Sequence, residues 1–490
     1  MTTMQKHNKE KIVLILFMLL PTLAVSLNLD NDFWFLFNQG RYIVGKGFPH
    51  IEPFTIHADM TFVIQQWLFD VVVYYLYTFW GKAGVITLVF AISIVIEVLI
   101  YKFCMLISER KFYLSVLITT YTYLLFCTWF MVSRPQIFTY SFILIELLCL
   151  EKFARDKDWK KLILLPIVSL LQINVHASMW WLLFAFLLPY LLESFKIKWR
   201  EINMAPLDKR PLFIVTVLML LAGFIHPYGY KAILYVFKSY GNETINANIQ
   251  EMAVPDIKSL IGIVFFMTFA FIGFCYATNR KGKSSFRYIC LMLGTTVLAL
   301  TSVKSIPYFL IGSMLPMASY LKNTADKLVF NDIHKKIKTV SVTGIFVIFI
   351  YIVSIYVLCE DYDRGKDYPT SQKAIDYLAE QSDVSEMKLY TDFFDGGYAQ
   401  YKGLKTYIDA RAEIFLESNN EKKDILDEYI SLQKGDMHYK EFLDIYNFTH
   451  VLVNESDTLS VYLAKDSNYT VCYEDEHSKI YIPINKEIRK

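Results

Sequence analysis

Apolar blocks, each roughly 16 to 22 residues long, recur along most of this chain, and that repeat is what most limits its fold. They cover approximately 12–28, 62–80, 84–106, 112–132, 137–151, 161–176, 179–194, 212–226, 259–277, 287–303, 306–321 and 339–359. A helix of about 20 residues crosses the hydrocarbon core of a bilayer, so the series predicts a polytopic, all-α membrane protein. Composition agrees, with 54% of the 490 residues hydrophobic and 16% aromatic. A formal net charge of +2 gives no reason to expect a nucleic-acid partner. The seven cysteines (Cys104, Cys127, Cys149, Cys275, Cys290, Cys359 and Cys472) lie mostly inside apolar blocks. They have neither metal-ligand nor disulfide-framework spacing, and Cys359 to Cys472 is only a remote pairing. "MQKHNKEK" and the apolar run after it imitate a signal peptide, but the run is long and no small-residue cleavage site follows. It reads as a retained first span.

Block 62–80 decides the topology. "FVIQQWLFDVVVYYLYTFW" carries Gln65, Gln66 and Asp70, which are unwelcome in lipid. If it lies in the outer interface as an amphipathic helix, eleven spans remain. The basic groups Lys152 to Lys161, Lys196 to Arg210, Arg280 to Arg287 and Lys322 to Lys338 then all fall in cytoplasmic segments. The external loops keep few cations, among them Arg41, Lys46, Arg134, Lys258 and Lys304. The N-terminus is therefore expected inside and the C-terminus outside. Residues 1–359 form the transmembrane domain, with an external first loop at 29–83, and 360–490 form an external α/β domain. In that domain "SQKAIDYLAEQ" and "KKDILDEYISLQ" suit helices, while "KLYTDF", "LKTYIDA" and "THVLVN" suit strands. Asn-x-Ser/Thr sequons start at Asn242, Asn447, Asn454 and Asn468, all on the external side, where chance explains them well.

This topology collects polar residues at one membrane face. Asp30 and Asp32 follow the first span in "DNDFW". The bland reading is a solvated loop; the functional one is a general base for a hydroxyl, or oxygen ligands for a divalent cation such as magnesium or manganese. Arg134 and Lys304, at outer span ends, either snorkel or clamp a phosphate. His176 and His226 are either packing residues or ligand contacts, with Asn174 and Glu251 at the same level. Two carboxylates with several cations suit a reaction that stabilises a lipid phosphate while a hydroxyl loses a proton. Clustering at one face favours an interfacial enzyme over a transporter, whose site lies nearer the midplane.

With these residues in hand, the chain resembles the GT-C superfamily of polytopic membrane glycosyltransferases, in particular a bacterial branch opening with D-x-D-x-W-W-H-L. The matching stretches are "DNDFWFLF", "GR" at Gly40–Arg41, "EPFT" at Glu52–Thr55 and "QQWLFD" at Gln65–Asp70. They continue as "SRPQIFT", "NVHAS", "HPYG", "IQEM", "KSIPYF", "DGGY" (395–398) and "YIDAR" (407–411), in order and over almost the whole chain. Leu36 stands where that branch has histidine, and Gln65–Gln66 replace its His-Glu pair.

The resemblance implies a GT-C bundle with an external C-terminal domain, a polyprenyl-phosphate sugar as donor and an inverting transfer. It also implies an acidic base in the first external loop, here Asp32 or Asp30. Arg134, Lys304 and His226 would hold the donor phosphate. Gln65, Gln66, Asn174, His176, Glu251 and Tyr308 would shape the sugar and acceptor pocket. Asp395, Tyr398, Asp409 and Arg411 of the external domain would hold the acceptor or only cap the site. The expected setting is a bacterial cytoplasmic membrane and its envelope, with a glycan, lipid or protein acceptor. The alternatives are a non-catalytic scaffold that binds lipid-linked glycan or a partner, and a transporter of lipid-linked sugars.

Overall fold

A computed structural model of the chain describes residues 14–195, 207–239, 241–278, 285–323, 368–382, 384–455 and 457–484. The block expected to span at 339–359 lies outside these residues. The chain divides into two compact units. The first comprises Met1–Leu27, Ile86–Ile225 and Asn246–Asp363; the second comprises Asn28–Val85, His226–Ile245 and Arg364–Lys490.

The first unit is helical. Among the described residues three helices are long and apolar enough to cross a membrane: Phe112–Trp129 and Leu260–Ala277 in this unit, and Trp67–Ile107, which belongs to it from Ile86 onward. Shorter apolar helices occupy Leu14–Ala24, Ala177–Glu193 and Phe286–Thr301. The chain is thus a helical membrane protein, though the described helices do not add up to eleven spans. Helix Trp67–Ile107 is broken at Gly81, whose φ of 58° belongs to the left-handed region that glycine adopts without strain. The break separates the segment read as interfacial from the apolar run that follows it.

Polar cross-links fix the register of the helices. Arg287 donates from Nε to Glu151 (2.7 Å) and from Nη1 to Glu193 (2.9 Å), and Tyr190 donates to Glu151 at 2.8 Å. Sequence counts Arg287 among the cytoplasmic loop charges, but it is buried, as are both glutamates. A guanidinium and two carboxylates are tolerated there because they satisfy one another.

The second unit is built around a five-stranded sheet of order β2-β1-β3-β5-β4. β1 (Lys388–Tyr390) pairs in parallel with β2 (Lys405–Thr406) and with β3 (His450–Asn454). β5 (Ser478–Pro483) runs antiparallel to both β3 and β4 (Tyr469–Glu474). The Asp475 carboxylate accepts the amides of His477 and Ser478, closing the β4–β5 turn. The first loop extends the opposite edge, where the Ile56 amide donates to the Thr406 carbonyl at 2.9 Å.

Helix Phe33–Lys46 explains the apolar "FWFLF" run, because every residue from Phe33 to Gly40 is buried. It ends at Gly47, with φ of 85°. Helix Gly396–Tyr401 packs against it, and the Asn38 amide donates to the Gly397 carbonyl at 2.9 Å. Gly396 is required where it stands. A Cβ there would lie 2.0 Å from the Ile408 carbonyl oxygen.

Candidate functional site

Most of the expected site residues gather in two polar clusters, one in each unit. In the first unit, Pro135 opens helix Gln136–Asp156 and leaves Arg134 in the turn before it. Arg134 Nη1 donates to Glu251 Oε2 at 2.6 Å. The Val303 amide donates to the Ala253 carbonyl at 2.9 Å, which ties the turn bearing Lys304 to the turn bearing Glu251. Lys304 bears electrostatically on both Glu251 and His176. His176 Nδ1 and the Thr139 hydroxyl are hydrogen-bonded at 2.9 Å, and Gln172 donates to Thr139 and to the His176 carbonyl. "SRPQIFT", "NVHAS", "IQEM" and "KSIPYF" therefore converge.

Two residues of the expected set play other parts here. Asn174 braces the backbone by donating to the Leu170 and Ile225 carbonyls at 2.8 and 2.9 Å. Tyr308 is buried beside Tyr140, with ring centroids 5.8 Å apart. Its hydroxyl meets no hydrogen-bond partner among the described residues.

In the second unit, Asp30 and Asp32 stand at the entry to helix Phe33–Lys46. Asp30 Oδ1 accepts the Asp32 amide at 3.1 Å, and the Asp30 carbonyl accepts the Phe33 amide. Asp32 holds the cap position without a side-chain cap bond. Negative charge there is favoured by the helix dipole. Among the described residues no three His, Cys, Asp or Glu side chains come together as metal ligands.

His226 follows helix Lys209–Ala222, and its Nδ1 accepts the Tyr228 amide at 3.2 Å. That contact places the imidazole proton on Nε2, which meets no acceptor among the described residues. The ring is buried, and in this tautomer it offers a hydrogen bond from Nε2. Gln65 Nε2 reaches Glu413 at 3.4 Å, while Gln66 contributes its carbonyl to the Asp70 amide.

The tail motifs meet the first loop within this unit. Arg411 is buried and donates from Nη2 to Glu52 (2.8 Å) and from Nε to Asp409 (2.8 Å). Burial works against its charge, yet Asp409 and Glu52 together hold its pKa above the ordinary value. Gln400 donates to Asp409 at 2.7 Å, and the Thr55 amide and hydroxyl both donate to Glu52. Asp409 and Arg411 are thus occupied in a buried lock. Asp395 accepts from Ser371 at 2.7 Å, and burial, reinforced by Asp392, pushes its pKa up to about 7. The Tyr398 hydroxyl donates to Asp376 at 2.9 Å, and its ring packs against Trp34.

Sequence reasoning passed over Glu52 and Asp70 as site residues. Glu52 was legible only as part of "EPFT", because its partner stands 359 positions away. Asp70 is fully buried, and neither of its carboxylate oxygens has a hydrogen-bond partner among the described residues.

No family model matches the chain, and no curated protein does. Solved structures do. The chain is similar to the oligosaccharyltransferase of Archaeoglobus fulgidus, crystallised with a tethered acceptor peptide containing an NVT sequon. The TM-score is 0.63 at 12% identity, over 97% of this chain and 74% of that one. The apo form of the same enzyme gives 0.62 at 11% identity, over 91% and 69%. ArnT of Cupriavidus metallidurans, crystallised with undecaprenyl phosphate, gives 0.53 at 11% identity, over 97% and 98%. Both proteins are GT-C glycosyltransferases, and the chain shares their fold.

Proposed function

We propose that the protein is a membrane glycosyltransferase that moves a sugar from a polyprenyl-phosphate-linked donor to an acceptor hydroxyl on the external face, with inversion. The observation that carries this reading is a fold likeness running over 97% of the chain to two lipid-linked glycan transferases.

Asp32, or else Asp30, takes the proton of the acceptor hydroxyl as that oxygen attacks the anomeric carbon. The bond from the anomeric carbon to the phosphate oxygen breaks, and the electron pair leaves with the polyprenyl phosphate. Arg134 and Lys304 offset the charge that develops on this leaving group. Glu251 fixes the guanidinium beforehand, so no reorganisation is needed at the moment of transfer. With Glu251 counted, the three residues carry a net charge of about +1 at neutral pH, which suits an arriving anion. Within the second unit His226 offers a neutral Nε2–H donor, and Gln65 and Gln66 are assigned to the sugar.

The test is release of polyprenyl phosphate from a panel of lipid-linked sugars, comparing the native protein with Asp30→Asn and Asp32→Asn. Loss of turnover in one variant, with donor binding retained, identifies the base. A second reading, a scaffold that binds lipid-linked glycan without transfer, draws on Asp30, whose carboxylate already serves a structural turn. Donor binding without release across the panel, unchanged in both variants, selects it.

A further inference from the structure

Arg41 belongs to none of the roles above, yet it lines a cleft of about 450 Å³ lying wholly within the second unit. Lys46 and Lys405 line it too, as do Tyr42, Gly45 and Phe54, and no carboxylate is among the lining residues. Arg41, Tyr42, Gly45 and Lys46 are spaced so that they share one face of helix Phe33–Lys46. Arg41 donates to the Tyr401 and Gln400 carbonyls and to Asn38. Three of its five N–H groups are thereby used, and it meets no carboxylate among the described residues. Neither lysine is ion-paired among the described residues; Lys46 instead lies 5.4 Å from the Tyr42 ring centroid. Tyr42 and Phe54 meet edge to face at 5.6 Å and form an aromatic wall.

Solvated lysines normally alternate with acids. Three cations around one concavity, with the nearby Glu52 already engaged by Arg411, leave an uncompensated positive field. The volume is within the range of small-molecule sites. An aromatic wall beside cations offers a sugar ring an apolar face and its acidic substituent a counter-charge.

We propose that this cleft binds an acidic saccharide, with its phosphate or carboxylate held by Arg41, Lys46 and Lys405 and its ring against Tyr42 and Phe54. The assignment of that saccharide as part of the acceptor rests on the glycosyltransferase reading; the binding itself does not.

The test is equilibrium binding to the full chain in nanodiscs of neutral lipid, using glucose 1-phosphate, glucuronate, glucose and inorganic phosphate as probes. Both acidic sugars should bind, more weakly as salt rises, and at least tenfold more tightly than glucose or phosphate. Lys46→Gln and Lys405→Gln should each weaken binding about three- to tenfold. Gly45→Phe should abolish it while leaving the fold intact, because no atom lies within 4 Å of a Cβ at Gly45 and its helix needs no glycine there. Equal affinity for glucose or for inorganic phosphate would overturn the proposal, as would binding that survives Gly45→Phe. Loss of sugar binding in nanodiscs containing phosphatidylglycerol would assign the cleft to a lipid headgroup instead. Binding that persists in Asp30→Asn and Asp32→Asn, whatever their turnover, keeps this proposal separate from the catalytic one.

Discussion

Replacing Arg411 should open the second unit, and the size of the effect follows from what the side chain holds. Its guanidinium bonds Glu52 and Asp409 and lies 5.2 and 5.3 Å from the ring centroids of Phe54 and Phe62. Arg411→Met keeps much of the volume but leaves two buried carboxylates without a cation. Removing one partner of a buried ion pair costs about 3–5 kcal/mol. Lysine at 411 would not rescue it, since one ammonium cannot reproduce the fork that serves both acids. Amide hydrogen exchange on the full chain is the assay, read in peptides covering residues 395–412 and 50–56. A loss of that size should speed exchange there by roughly two to four orders of magnitude. Glu52→Gln combined with Arg411→Met should recover part of the loss, because one uncompensated acid has gone. If Arg411→Met exchanged less than tenfold faster than the native chain, the buried lock would not be holding these segments. The same conclusion would follow if the double variant were simply the sum of the singles.

Asp395 carries a pH dependence. Its folded pKa of about 7 exceeds the ordinary value of 3.8, so the folded state binds the extra proton and stability falls as pH rises from about 4 to about 7. Asp395→Asn should flatten that fall, worth roughly 4 kcal/mol, in denaturant melts of the second unit across this range. Gly396→Ala should prevent the helix Gly396–Tyr401 from seating against the Ile408–Asp409 segment, and loss of protease resistance in the tail would report it. Arg134→Gln should weaken donor binding by about ten- to a hundredfold in a lipid-sugar titration. Glu251→Gln should do less, because the cation remains.

The apolar blocks announced a helical membrane protein, and segments such as 372–379, 388–390, 425–434 and 450–454 formed the expected helix or strand. "LKTYIDA" pairs as a strand only at Lys405–Thr406. Asp409 instead turns its carboxylate onto the Arg411 amide and guanidinium, a preference no alternation of apolar residues reveals. Arg287 was misleading as a loop charge, because its two glutamate partners lie far off in the sequence and only packing brings them to it. Within the site, Arg134 and Lys304 were legible as cations interrupting apolar sequence. Glu251 and His176 were expected at the same level, but not the ion pair between Arg134 and Glu251, whose partners stand 117 positions apart.

The discontinuous make-up of the second unit sets a timetable for its assembly. Arg41 contacts residues 359 and 360 positions later, and Glu52 waits for Arg411 across a similar interval. At about 5–20 residues per second, a ribosome needs roughly 20–70 s to make the missing partners. Through that interval the first loop has been made with its apolar helix uncovered and Glu52 without its cation. Closing contacts across hundreds of residues is slow, so this unit should mature after the helices of the first. A chain stopped before residue 395 would keep those side chains exposed, making it a natural target for proteases and chaperones.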